Sequence, residues 1–225
     1  TVNIACPGIL NVMQGELVVL VGPRGGGKST LLKVLGGAQL PAPEMMSGCF
    51  IPPHLRVLHI GTEPIFVHGT LLANLTFGVK HGDKDGRLER IISVCRRLGL
   101  PEEVIDLVHS EENLAWGSHL SLSQKHVLSL ARGLLANPNL LIIHNPTLAL
   151  DDKTSQKVLT ILREFVEQRG VEQDSDAFHL RRPRTCIISG AQKTVVDVAD
   201  RVYYVSQDTG IKEMQKCEIS NRMLA

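Results

Sequence analysis

The stretch Gly22-Pro23-Arg24-Gly25-Gly26-Gly27-Lys28-Ser29 constrains this chain more than any other, because it fits GxxxxGK[ST] and that pattern works in one structural setting. A glycine-rich turn lets successive backbone N–H groups converge on phosphate oxygens. A helix starting at its end adds the positive pole of its dipole. The turn therefore needs a strand before it and a helix after it. Both are present. Glu16–Val21 is an apolar run ended by Gly22-Pro23, and Ser29–Leu35 has helix composition closed by Gly36-Gly37. In that setting Lys28 reaches the β- and γ-phosphates of a nucleoside triphosphate, the Ser29 hydroxyl ligates Mg²⁺, and Thr30 follows on the first helical turn. Arg24 reads as pointing to solvent. A loop of this kind does not by itself choose between kinases, GTPases, motors and transport ATPases.

The rest of the chain alternates strand and helix. Val57–Ile60, Leu140–Ile143, Thr185–Ser189 and Val202–Val205 are further short apolar strands. Leu88, Ile91, Ile92, Cys95 and Leu98 follow helical spacing, stopped by Gly99 and Pro101. Val127, Leu128, Leu130, Ala131, Leu134 and Leu135 form another apolar helix face, stopped by Asn137-Pro138. Val158, Ile161, Leu162 and Phe165 mark a further helix. Pro41–Pro53 reads as loop or irregular edge, and Leu71–Gly78 as a loop leading into a helical region. Arg169–Arg184, with its basic cluster Arg181, Arg182 and Arg184, reads as a solvated surface loop. The alternation predicts a parallel sheet covered on both faces. The chain opens at Thr1 on a strand-like segment without Met, and reads as a piece of a longer protein.

Composition narrows the partners. The 225 residues are 43% hydrophobic and 21% charged, enough for one large α/β domain or a domain with a small helical lobe. A net charge of +1 and 4% aromatic residues argue against a nucleic-acid-binding face, so no nucleic-acid partner is expected. No apolar run reaches the roughly 18 residues that a membrane span needs. Cys6, Cys49, Cys95, Cys186 and Cys217 lie far apart with no CxxC pair, and read as free thiols in a reducing compartment. The nine histidines include no HExxH and no His–Cys cluster, so zinc is not expected.

Several further motifs, in order, resemble the ATPase domain of ABC transporters. Glu63-Pro64-Ile65-Phe66 and Gly69-Thr70-Leu71-Leu72-Ala73-Asn74-Leu75-Thr76-Phe77-Gly78 are similar to a stretch of exporter-type members. Leu120-Ser121-Leu122-Ser123-Gln124 stands where the LSGGQ signature belongs, and Ser129–Pro138 resembles the helix and turn behind it. Leu140–Asp151 resembles the Walker B strand and D-loop, and Thr185–Arg201 the last catalytic strand with the "ADR" that follows. The resemblance implies an α/β P-loop NTPase: a central, mostly parallel sheet flanked by helices, a small helical subdomain at about 70–135, and an antiparallel β edge. It implies head-to-tail pairing of two such domains, with each ATP between the P-loop of one and the signature of the other. Gly22, Gly25, Gly27, Lys28 and Ser29 would then hold phosphate and Mg²⁺, Ser121 and Gln124 would face the partner's nucleotide, and Asp151 would be the D-loop aspartate.

The chain departs from the family pattern at the chemistry. Walker B should end in Asp-Glu, but His144-Asn145 stands there. Imidazole replaces poorly the oxygen that Mg²⁺ prefers. Asn145 can orient a water but cannot accept its proton, and loss of a general base slows a reaction by about 10²- to 10⁴-fold. The switch histidine falls at Ala191, with Gln192 adjacent, and the Q-loop glutamine at Thr62, or at Glu63 with a one-residue shift. Leu122 and Ser123 replace two signature glycines, and Leu122 crowds the approach of backbone to a partner's γ-phosphate. The family's adenine-stacking aromatic has no counterpart in residues 1–21.

Phosphate capture is thus expected to be kept while water activation and γ-phosphate sensing are stripped. The reading is one ABC-type ATP-binding domain across 1–225, a fragment of a membrane transporter at the cytoplasmic face, binding Mg-ATP with weak or absent hydrolysis. Its partners are a second ABC ATPase domain, the same or different, and transmembrane domains. The alternatives are an active ATPase energising export, with Glu63, Asp151, Asp152 or Gln192 taking over polar roles, a soluble ABC-type protein, and a small-molecule kinase. Two single residues have structural readings as well: His144 as a hydrogen-bonded strand end and Trp116 as a packing residue.

Overall fold

The computed structural model of the chain describes residues 8–41, 49–80, 82–220 and 223–224. Its strands are β1 (Leu17–Val21), β2 (Val57–Ile60), β3 (Leu140–His144), β4 (Thr185–Ser189), β5 (Arg201–Ser206) and β6 (Gly210–Met214). Its helices are α1 (Lys28–Leu35), α2 (Leu71–Leu75), α3 (Leu88–Arg97), α4 (Glu102–Asp106), α5 (Trp116–His119), α6 (Leu122–Leu135), α7 (Asp152–Glu167) and α8 (Lys193–Asp197). The chain divides into two compact units. One comprises Thr1–His59, Asn139–Asn145 and Pro183–Ala225, and the other Ile60–Pro138 and Pro146–Arg182. Cys6, the opening strand-like segment and most of Pro41–Pro53 lie outside the described residues.

The strands form one sheet in the order β2-β3-β4-β1-β5-β6. Strand β1 pairs in parallel with β4 and with β5, and β3 pairs in parallel with β4. All five residues of β1 are fully buried, which is why it reads as an unbroken apolar run rather than an alternating one. Asp200 fixes the entry of this strand: its Oδ2 accepts the Leu17 N–H at 2.8 Å, and its own N–H donates to Leu17 O at 2.7 Å. The expected antiparallel edge is β6, a hairpin partner of β5. Val18, Leu20, Leu32, Ile142, Ile187, Tyr203 and Val205 form the core of this unit. Each such side chain contributes about 1.5–3 kcal/mol by leaving water.

The second unit is helical. Helix α6 packs against α3 and α2. Arg90 is 7% exposed and ties this unit together. It donates to the carbonyls of Leu134 and Leu135 at the end of α6, each at 3.2 Å, to Val171 O at 3.0 Å and to Asp85 O at 2.8 Å. The guanidinium fork thus supplies the donors that the last carbonyls of a helix lack. Trp116 is 1% exposed and donates from Nε1 to Gly69 O at 2.7 Å, a packing residue as expected.

Three elements differ from the sequence expectation. The Leu71–Gly78 segment begins with a short helix, because Thr70 Oγ1 accepts the Ala73 N–H at 3.1 Å and caps it. Helix α6 starts at Leu122, five residues before the apolar face begins at Val127. The Arg169–Arg184 segment is not simply a solvated loop. It holds a 3₁₀ turn at Ser175–Leu180, and the Arg169 and Arg181 guanidinium groups lie 4.5 and 5.5 Å from the centre of the Phe178 ring.

Of the described cysteines, Cys49, Cys95, Cys186 and Cys217 are free thiols. Burial pushes the Cys95 thiol up to about 12 and raises Cys186 as well, so neither offers a reactive thiolate.

Candidate phosphate-binding site

The turn Gly22–Ser29 joins β1 to α1 as the pattern requires. Gly22, Gly25 and Gly27 take positive φ angles of 139°, 79° and 97°. A Cβ on Gly22 would lie 2.2 Å from Val205 O, and one on Gly26 would lie 2.7 Å from the same oxygen. These two glycines are demanded by close approach to β5, whereas Gly25 has open space around it. The first main-chain bond closing the helix runs from Leu31 N–H to Gly27 O at 2.9 Å, so the N–H groups of Lys28, Ser29 and Thr30 precede the helical ladder. No side chain caps them, since the N-cap is Gly27. Such a row of N–H groups at a helix start is an anion cradle.

Lys28 folds back over the turn. Its Nζ donates to Gly22 O at 2.6 Å and Pro23 O at 2.8 Å. Burial lowers its pKa, because half-desolvation disfavours the ammonium. Arg24 and Gly25 are exposed at the tip, and Gln207 Nε2 braces the turn through Gly25 O at 2.9 Å. Pro23 and Ser29 are half-buried.

The residue read as the Walker B end, His144, closes β3. Its register partner is Ser189 on β4, itself opposite Leu20 at the end of β1. Its Nδ1 lies 2.7 Å from Ser189 Oγ, the strand-end hydrogen bond foreseen for it. Ser189 Oγ also accepts the Asn145 N–H at 3.1 Å. The Ser189 hydroxyl has one proton to give and a second lone pair to take one, so its bond to Nδ1 serves either imidazole tautomer. Burial lowers the His144 pKa, and the positive charges of Lys28, His59 and Lys33 lower it further. The ring is neutral at pH 7 and carries no negative charge into the site. Asn145 holds φ at 54°, a left-handed conformation that Asn tolerates. Ala191 is exposed after β4 and brings no donor beyond its backbone.

The remaining candidates belong to the second unit. Thr62 is half-buried in a bend after β2. Leu120 is buried, while Leu122 is 58% exposed at the start of α6. Ser121 and Gln124 form a reciprocal capping box: Ser121 Oγ accepts the Gln124 N–H at 3.2 Å, and Gln124 Oε1 accepts the Ser121 N–H at 2.8 Å. Ser123 Oγ is 3.1 Å from Ser121 Oγ. Asp151 caps α7, its Oδ2 accepting the Thr154 N–H at 3.2 Å. Hydrogen bonding from the Thr154 side chain, and then from the Thr154 N–H, holds the Asp151 carboxyl below the usual carboxylate range. Sequence reasoning took Ser121 and Gln124 for residues facing a partner's nucleotide and Asp151 for the D-loop aspartate, and missed their capping. The S-x-x-Q and D-x-x-T spacings carried that signal. It also missed His59 and Lys33, which come from separate segments.

Comparison with known proteins agrees with this geometry. A family model described as ABC transporter matches residues 9–148. The sulfate/thiosulfate import ATP-binding protein of Agrobacterium fabrum is 29% identical over 206 residues, 88% of this chain and 55% of that protein. The putrescine transport ATP-binding protein of Escherichia coli is 33% identical, covering 72% of this chain and 43% of that protein. The chain thus spans about half the length of these curated relatives. Among solved structures, a dimeric post-hydrolysis state of an ATP-binding cassette bound to ADP and Pi matches at a TM-score of 0.64 and 22% identity. It covers 92% of this chain and 88% of that one. An ABC transporter assigned to the metal-chelate type, in an inward-facing conformation, matches at 0.65 and 19% identity, covering 93% and 76%. These two likenesses establish the fold. On the match across 9–148 and the intact phosphate loop within it, the chain belongs to the ABC transporter family.

Proposed function

We propose that the chain is the ATP-binding domain of an ABC-type membrane transporter that captures the triphosphate at Gly22–Ser29 and hydrolyses it weakly or not at all. The observation that carries this is an intact anion cradle beside a Walker B end without a carboxylate, His144 bonded to Ser189 at 2.7 Å. The first-turn N–H groups of α1 meet phosphate oxygens, and Lys28 leaves the carbonyls of Gly22 and Pro23 to follow the β- and γ-phosphates. Pro23, Arg24 and Gly26 shape the turn, and Thr30 and Thr62 border the nucleotide. The domain pairs head to tail with a second ABC ATPase domain, the same or different, through Leu120–Gln124 and Asp151. It works with transmembrane domains at the cytoplasmic face of a membrane, its helical subdomain at about 70–135 inserted in the core. Relatives named for sulfate/thiosulfate import and putrescine transport support a transporter role without setting its direction here, although Gly69–Gly78 resembles exporter-type members.

Mg²⁺ is the family's usual companion to the nucleotide. Ser29 Oγ would be its protein ligand and Mg²⁺ would neutralise the phosphates, but the donor set around it fits poorly. The Walker B side chain is an imidazole whose Nδ1 is engaged by Ser189, and an imidazole nitrogen replaces poorly the oxygen ligands that Mg²⁺ prefers. Among the described residues no group of three His, Cys, Asp or Glu could hold a metal ion. Asn145 can align a water but cannot take its proton, which removes about 10²- to 10⁴-fold in rate, or roughly 3–5 kcal/mol of barrier.

The test is ATP binding and steady-state turnover on one sample, with Lys28→Ala as the binding control. Saturable binding that Lys28→Ala abolishes, with turnover near background, supports the reading. Brisk turnover refutes the weak-hydrolysis part, and binding indifferent to Lys28→Ala refutes the site.

A further inference from the structure

We infer that Arg169 and Arg181 form a site for a phosphate monoester group, carried by a soluble ligand or by a lipid headgroup. The site lies within the second unit and uses no residue of Gly22–Ser29. It begins where α7 ends. The helix closes in a Schellman motif: the Gly170 N–H donates to Phe165 O at 2.9 Å, and the Arg169 N–H to Val166 O at 3.3 Å. The left-handed position of that motif favours glycine, yet Arg169 holds it at φ 55°. From there its side chain folds onto the segment that follows. Its Nη1 donates to Arg181 O at 2.8 Å, and its Cζ lies 4.5 Å from the centre of the Phe178 ring. Arg181 follows the 3₁₀ turn Ser175–Leu180. Its Cζ lies 5.5 Å from the same ring centre, and its Nη1 donates to Asp174 O at 2.9 Å. Phe178 thus gathers both charges on one ring.

Each guanidinium is anchored through Nη1 and leaves its Nε/Nη2 edge unused. Neither forms an ion pair among the described residues. Asp174, whose carbonyl anchors Arg181, commits its own Oδ1 to the Asp176 N–H at 3.0 Å. The Nε of Arg181 is buried, and among the described residues it is the one buried side-chain nitrogen or oxygen without a partner. A guanidinium cannot shed its proton, so an orphaned N–H on it calls for an acceptor. The Nη2 beside it is not buried. Nε–H and Nη2–H point in parallel along one edge, so an anion that reaches Nη2 from solvent meets the buried Nε–H in the same fork. Paired phosphate oxygens match that fork. A water satisfies the N–H and leaves two cations unbalanced, and a carboxylate balances one of them. A phosphate monoester brings about one and a half to two negative charges near pH 7.

The experiment follows the side-chain Nε–H resonances of Arg169 and Arg181 by ¹⁵N–¹H NMR in the full chain. Sodium phosphate is titrated at constant ionic strength against sodium chloride. Both resonances are expected to shift saturably, with half-saturation at about 1–10 mM phosphate, and chloride is expected to leave them in place. Arg181→Gln is expected to weaken the response at Arg169 by about tenfold, and Arg181→Lys, which keeps the charge without the fork, to restore little of it. Circular dichroism confirms the fold of each variant. Flotation with phosphatidylcholine vesicles, with and without phosphatidic acid, separates the two sources. Capture by phosphatidic acid vesicles alone, lost when Arg169→Gln and Arg181→Gln are combined, supports the site and assigns a lipid headgroup. Saturable phosphate shifts without capture support it and assign a soluble ligand. Shifts that are absent, that chloride reproduces, or that persist undiminished at Arg169 in Arg181→Gln overturn the inference.

Discussion

Three of the four glycines of the phosphate loop answer to different forces, and replacing each by alanine separates them. Gly22 holds φ at 139°, and its Cβ would lie 2.2 Å from Val205 O. Backbone strain in that region costs about 1–3 kcal/mol for a residue with a side chain. Ordinary contact between carbon and oxygen needs about 1 Å more, and a strand carbonyl cannot rotate away, which adds about 1–3 kcal/mol of overpacking. Gly22→Ala is therefore expected to lose about 2–6 kcal/mol, a fall of roughly 4–24 °C in a domain of this size. Gly26 has no positive φ, but its Cβ would meet Val205 O at 2.7 Å and Pro23 O at 3.0 Å, so its loss is overlap alone, about 1–3 kcal/mol. Gly25 holds φ at 79° with nothing within 4 Å, so Gly25→Ala meets only the left-handed penalty of about 1–2 kcal/mol. Urea midpoints and thermal melts of the three variants give the order Gly22 largest and Gly25 smallest. Equal losses at Gly22 and Gly25 refute the reasoning, because they mean that the close approach to β5 does not exist.

Three further outcomes follow from other contacts. Arg90→Leu strands the carbonyls of Leu134, Leu135 and Val171 without their donor and is expected to cost about 3–5 kcal/mol by urea denaturation, with Arg90→Lys recovering little of it. Ser121→Ala breaks the capping box of α6 and is expected to cost about 1 kcal/mol even without a partner domain, whereas a purely ligand-facing serine leaves the urea midpoint unchanged. His59, His126 and His144 all sit below the usual histidine range, chiefly because burial disfavours the imidazolium. The unfolded chain takes up protons near pH 6.5 while the folded chain does not, so this stability is present above about pH 6.5 and is lost as pH falls below it. Urea midpoints across that window check it, and His126→Gln flattens the slope.

Legibility in the sequence follows the physical signal each element carries. Strand β1 is apolar at every position because it is buried on both faces, so it announces itself. Strand β6 forms its ladder with β5 and passes from buried Gly210 and Ile211 to exposed Lys212 and Glu213, which leaves no apolar run to see. Helix α2 is too short for a period of 3.6 to emerge, and only Thr70 at its cap marks it. The loop Gly22–Ser29 was legible as a motif, yet its pattern treats glycines alike that β5 sorts into obligatory and free. Ser121, Gln124 and Asp151 were legible as family positions, and that reading hid the local bonds that cap α6 and α7.

The central claim is that this domain captures the triphosphate and lacks the groups to cut it. Its most direct measurement is steady-state ATPase activity of the parent protein beside His144→Asp with Asn145→Glu, at saturating nucleotide and Mg²⁺. Restoring both carboxylates returns a metal ligand and a general base, and turnover is expected to rise from near background by about 10²-fold or more. A parent protein that already turns over briskly, and a double variant that is unchanged or slower, contradict the account.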